Sequence, residues 1–132
     1  MKLLGRTISP GRAEGEALVT REPISFYGGV DPTTGTIIDP AHELHGQCVK
    51  GKVLVFPHGR GSTVGAYVIY ALKRNGVAPA AIVNEWTEPI VASGAILAEI
   101  PCVDKIDIGK IKTGDWVIVD ADSAVIEIRQ SS

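Results

Sequence analysis

Residues 52–72 read KVLVFPHGRGSTVGAYVIYAL, and the fold class follows from them. The run Val53-Leu54-Val55-Phe56 is short, apolar and closed by Pro57, the pattern of a buried strand. Beyond it Val64, Tyr67, Val68, Ala71 and Leu72 recur at i, i+3, i+4, i+7 and i+8. That spacing predicts a helix with one apolar stripe packed on a sheet. Asn75-Gly76, after Lys73 and Arg74, supplies the stop. In the intervening loop Gly59 and Gly61 let the backbone turn sharply and come close to a ligand. Arg60, Ser62 and Thr63 stand where the helix begins, so a guanidinium and unpaired N–H groups can converge on one anion.

A second unit of the same kind follows. Ala80 to Asn84 reads as another buried strand. The next helix is expected to start near Thr87 as N-cap, with Pro89 in the first turn, to run through Ala98 and to stop before Pro101. Glu16 to Thr20 reads as a strand. Phe26 to Gly35 reads as a loop, with Gly28-Gly29 and Asp31-Pro32 as its turn chemistry. Near the other end, Asp115 to Asp120 and Ala124 to Arg129 flank Ala121-Asp122-Ser123 as a hairpin. The expectation is a single domain over residues 1–132. Its class is mixed α/β, with strands outnumbering helices and two βα units set among antiparallel strands.

Composition narrows the function classes. A chain of 132 residues, 45% hydrophobic and 21% charged, is that of one globular domain. A net charge of −2, without a basic face interleaved with aromatics, argues against nucleic acid. No run approaches the roughly 20 apolar residues that span a bilayer, and Lys2 and Arg6 come too early for a signal peptide. A cytoplasmic location is expected. The two cysteines, Cys48 and Cys102, have no metal-binding spacing and read as small core residues. An iron–sulfur or structural zinc site needs about three or four thiolate or imidazole ligands, which this chain alone does not supply.

Ser62 has two readings. A serine just before a helix is commonly an N-cap. Flanking glycines help a plain cap little, however, and the adjacent Arg60 suits a carboxylate or phosphate. In that setting a serine can act as base or nucleophile once positive charge and oriented amides favour its ionised form. The loop is not the GxxxxGK[ST] phosphate loop, because the lysine is missing. His42 and His45 flank Glu43-Leu44 without completing HExxH, and read as surface or loop histidines. His58 shares the loop of Arg60 and can shape the site. The Gly28-Gly29 loop is either a tight turn or the wall of a binding site. Asn84 to Glu88 joins a strand to a helix, where α/β folds place ligands, although Trp86 can equally fill an apolar contact.

Three segments taken together are more specific than any one. They are Gly28-Gly29-Val30-Asp31, Gly59-Arg60-Gly61-Ser62-Thr63, and Gly94 to Pro101. In this order they resemble the small subunit of the aconitase X family, and the resemblance covers nearly the whole chain. It implies a swivelling β/β/α domain of the kind that is mobile in aconitases. It also implies a large catalytic subunit as partner, carrying a [4Fe-4S] cluster that this chain does not bind. The implied activity is that of a hydro-lyase, active only as the pair. It dehydrates (R)-5-phosphomevalonate, a phosphorylated hydroxy acid, to trans-anhydromevalonate 5-phosphate in an archaeal mevalonate pathway to isoprenoids. The resemblance places the catalytic base on Ser62. Arg60, Gly61 and Thr63 are the substrate-binding candidates.

The C-terminal half also looks like the phosphohistidine swivel domain of phosphoenolpyruvate-utilising enzymes. Its helix end at Leu97 to Pro101, followed by Gly114 to Val119, carries that likeness. Residues 89–94 hold no phosphoryl-accepting histidine, so a shared fold is the better account. A non-catalytic regulatory or scaffold role is the third alternative, and it gains weight if Ser62 is a plain cap.

Overall fold

The computed structural model describes residues 1–130. Eight strands form one sheet in the order β1-β8-β7-β3-β4-β5-β6-β2. The parallel part is β3 (Arg12–Val19), β4 (Val53–Phe56), β5 (Ala81–Asn84) and β6 (Cys102–Asp104). Its neighbours β1 (Lys2–Leu4), β2 (Arg6–Ser9), β7 (Trp116–Asp120) and β8 (Val125–Arg129) pair antiparallel. Helices α2 (Gly65–Arg74) and α3 (Pro89–Leu97) are the crossovers of the two expected βα units. Between β3 and β4 lies a single helical turn, α1 (Phe26–Gly29), inside which Tyr27 and Gly28 leave helical dihedrals.

One strand and the N-terminal segment change partners, and this folds the antiparallel part over the parallel part. In β3, Arg12 to Glu16 pair with β7, whereas Ala17 to Val19 pair with β4. The N-terminal segment switches at Gly5, with β1 on β8 and β2 on β6. A Cβ at Gly5 would lie 2.3 Å from the Asp104 carbonyl oxygen, so only glycine lets the strand turn this corner.

The result is three layers with two cores. Leu54, Phe56 and Ile82 meet Ile69 and Leu72 of α2 and Val91 and Ala95 of α3. From the alternate positions, Val53, Val55 and Val83 meet Val117, Val119, Ile126 and Ile128 of the covering hairpin. Each of these strands is therefore apolar throughout, which explains the continuous runs in the sequence. This is the expected mixed β/β/α architecture.

Several local expectations need correction. The buried face of α2 runs through Gly65, Ile69 and Leu72, while Val64 and Tyr67 are exposed. The stripe is rotated by about one residue from the expected one, because Gly65 lets the helix close onto Phe26 and Ile90. The N-cap of α3 is Glu88, not Thr87: its carboxylate accepts from the N–H groups of Ile90 and Val91, at 2.9 and 2.8 Å. Thr87 is engaged elsewhere, its hydroxyl on Asn84 Oδ1 and its N–H on Asp104. Cys102 is buried as expected, but Cys48 is exposed. It alternates with the buried Val49, so its Sγ points outward onto the Thr34 carbonyl.

Candidate active site

The loop from Pro57 to Val64 leaves the carboxyl end of β4 and enters α2, and neighbours on both sides hold it. On one side Ile24 donates its N–H to the His58 carbonyl, and Arg60 donates its own to the Ile24 carbonyl at 3.1 Å. On the other, the N–H groups of Glu85 and Trp86 both reach the Pro57 carbonyl at 3.1 Å. The glycines mark the closest approaches. A Cβ on Gly59 would stand 2.4 Å from Glu88 Oε1, and one on Gly61 2.4 Å from Ser25 Oγ. Gly61 also has φ +94°, in the region that favours glycine.

Arg60, Gly61, Ser62 and Thr63 are all exposed, at the end of the sheet where the parallel strands β4 and β5 finish. Ser62 Oγ accepts the Val64 N–H at 3.2 Å, and the Ser62 carbonyl accepts the Gly65 N–H. Among the described residues, the N–H groups of Gly61, Ser62 and Thr63 have no protein acceptor, and the Arg60 guanidinium has no carboxylate partner. Three successive open amides, a free guanidinium and the start of a ten-residue helix therefore share one exposed loop. His58 packs its ring 6.5 Å from that of Trp86 and directs Nδ1 at the Gly59 carbonyl, 2.7 Å away. A carbonyl only accepts, so the proton sits on Nδ1.

Thr63 lines a cleft of about 130 Å³ with Ala66, Pro89, Ile90 and Ser93. Ligand-enclosing pockets are typically several hundred Å³, so this cleft does not enclose a substrate by itself. A larger hollow of about 570 Å³ lies at the far end of α3, beside Ile96, Glu99 and Asp122. Its titratable lining groups are acidic, which does not suit an anionic ligand.

The comparisons with known proteins give the family. Residues 2–128 match the family model described as aconitase X swivel domain. The chain belongs to the aconitase X swivel family. A protein of Thermococcus kodakarensis named phosphomevalonate dehydratase small subunit is 58% identical over 128 residues, covering 97% of this chain and 96% of that one. Its namesake from Methanosarcina acetivorans is 57% identical over 131 residues, covering 97% and 91%. A crystal structure of Thermococcus kodakaraensis aconitase X in its holo form superposes with a TM-score of 0.97 at 56% identity, covering 98% of this chain and 99% of that one.

In this aconitase X swivel domain, no group of three or more His, Cys, Asp or Glu side chains converges as a metal site among the described residues. An iron–sulfur cluster therefore does not fit this chain's own side chains. No helix of the described residues is long and apolar enough to cross a membrane.

The sequence reading missed the strap at Ile24 and Ser25 that backs the swivel domain's glycine loop. It included Glu88 in the strand-to-helix junction but missed its role as the cap of α3, with its carboxylate against the space kept open by Gly59. Neither carries a local signal, because both meet the loop only through sheet register and helix docking.

Proposed function

We propose that this chain is the small subunit of a two-subunit hydro-lyase. The pair would dehydrate (R)-5-phosphomevalonate to trans-anhydromevalonate 5-phosphate in an archaeal mevalonate pathway, with Ser62 as the base. The observation that carries this reading is the Ser62 hydroxyl on an exposed loop that also carries open amides and an unpaired guanidinium. An alkoxide at Oγ would take the proton from the carbon α to the substrate carboxylate, while the β-hydroxyl leaves and the net product is water. A serine hydroxyl ionises only under strong positive potential. The Val64 N–H, the start of α2 and Arg60 are the local contributors. Arg60 and the amides of Gly61 and Thr63 would hold the anionic groups of the substrate.

The small cleft favours a site completed by another chain. Tyr27, Val64, Tyr67 and Trp86 are all exposed around this loop and form an apolar rim for the large subunit. Its coverage would exclude water and strengthen the field at Ser62. The [4Fe-4S] cluster would belong to that subunit, and the assembled enzyme would work in the cytoplasm.

One observation favours a second reading. Ser62 Oγ does accept the Val64 N–H, as a plain cap would. The deciding experiment is co-expression of tagged chain with untagged large subunit, then iron analysis and product detection with (R)-5-phosphomevalonate. The pair should contain iron and turn over, and the tagged chain alone should do neither. Turnover by the chain alone, or none by an iron-replete pair, would overturn the proposal.

A further inference from the structure

Behind the glycine loop runs the strap Thr20 to Ser25, and the segment His42 to Leu44 clips it in place. The Thr20 hydroxyl and the Arg21 N–H both bond Glu43 Oε1, and these contacts hold the Glu43 carboxyl below its usual range. In return the Glu43 N–H donates to Glu22 Oε1 at 2.7 Å. His42, buried at 8% exposure, closes the clip. Its Nδ1 accepts the Leu44 N–H at 3.1 Å, and its Nε2 lies 3.2 Å from the Pro23 carbonyl. With Nδ1 accepting, the neutral ring carries its proton on Nε2 and donates it to Pro23. Proline has no N–H, so this carbonyl is the one main-chain group by which residue 23 can be held.

The next two residues of the strap touch the loop. Ile24 exchanges main-chain bonds with His58 and Arg60, and Ser25 Oγ packs against Gly61. A shift at Pro23 is therefore passed through Ile24 and Ser25 to the peptides on either side of Arg60, and so to Ser62. We infer that His42 is a positioning residue for the reaction, acting through the strap on the loop that carries Ser62. This rests on the reading of Ser62 as the base. The imidazole suits the task because it is rigid and holds two main-chain groups on opposite edges, so the separation of the two segments is fixed.

The test compares His42→Asn with His42→Gln in the assembled two-subunit enzyme. A glutamine amide reaches the place of Nε2 and can still donate to Pro23, whereas the asparagine amide reaches only the place of Nδ1. His42→Asn should lower kcat about tenfold or more with little change in KM, as expected of a small misplacement of the reacting group. In the same variant the amides of Ile24 and Arg60 should exchange about tenfold faster, as in a local opening. The Ile82 amide, bonded to Pro101 within the sheet, should keep its protection. His42→Gln should restore both readouts. Wild-type protection at Arg60 in His42→Asn would overturn the proposal, as would a glutamine variant as impaired as the asparagine one. Loss of protection at Ile82 along with the strap would mark His42 as a core residue and overturn it too. The exchange readout does not depend on what Ser62 does. A turnover-competent Ser62→Ala alongside a loosened Arg60 amide in His42→Asn would sink the base, and with it the role of His42 in the reaction, while leaving only its hold on the loop.

Discussion

Replacing Ser62 with alanine separates a base from a cap by magnitude. The hydroxyl makes one hydrogen bond in the free chain, from the Val64 N–H at 3.2 Å, and the residue is exposed. A long, solvated cap of this kind belongs at the low end of measured capping effects, about 0.5 kcal/mol. For a domain of this size that lowers the melting temperature by about 2 °C. Losing a positioned base costs at least about a hundredfold in rate, equivalent to roughly 2.7 kcal/mol of barrier. The catalytic effect should therefore exceed the structural one about fivefold in free energy. The assay pairs thermal unfolding of the free chain with turnover of the two-subunit complex on (R)-5-phosphomevalonate. Ser62→Ala should lower kcat and kcat/KM together, because an acid–base group acts mainly in the transition state. A variant that loses about 2 °C yet turns over at the wild-type rate would refute the reasoning and leave Ser62 a cap.

Gly59→Ala would place a Cβ 2.4 Å from Glu88 Oε1 and 2.5 Å from Val91 Cγ2, so it should cost about 1–3 kcal/mol in urea unfolding. An unchanged midpoint would show that the start of α3 can yield. Burial pushes the Cys102 thiol up to about 12, whereas Cys48 is exposed, so a thiol reagent near pH 8 should label one cysteine per native chain and two in denaturant. The folded chain then holds the Cys102 proton after the unfolded chain has released it. This contribution is fully present below the ordinary thiol value of 9.0 and is lost as pH rises from there to about 12, which unfolding at stepped pH would follow. Trp86→Ala removes a side chain that is 55% exposed, so the free chain should change by less than about 0.5 kcal/mol. Its affinity for the large subunit should fall by about thirtyfold or more, as at an aromatic hot spot, and a titration of the two subunits measures it.

The expectations that held are those written in neighbouring residues. Val53 to Phe56 had to be a doubly buried strand because the run is apolar throughout. Asn75-Gly76 had to end α2, and the hairpin around Ala121 to Ala124 was bounded by its own turn. The position of the glycine loop between β4 and α2 was legible for the same reason, since glycines, arginine and serine at a strand-to-helix junction form a local pattern. Other features depended on partners distant in sequence. Periodicity fixed that α2 has an apolar face, but the approach of Gly65 to Phe26 and Ile90 decided which face is inward, and that left Val64 and Tyr67 around the site. Thr87 has a good capping side chain, yet Asn84 and Asp104 claim it and Glu88 caps instead. The corner at Gly5 follows from sheet register, and the burial of His42 and the strap behind Gly61 follow from contacts between segments distant in sequence. The amino-acid order by itself made legible the central strands, the C-terminal hairpin, both crossover helices and the residue types of the loop, because hydrogen bonding within a turn and side-chain period are short-range. The short strands β1, β2 and β6 were not legible in it. Only the tertiary structure decided what faces that loop, because burial and register are settled when distant segments compete for the same surfaces.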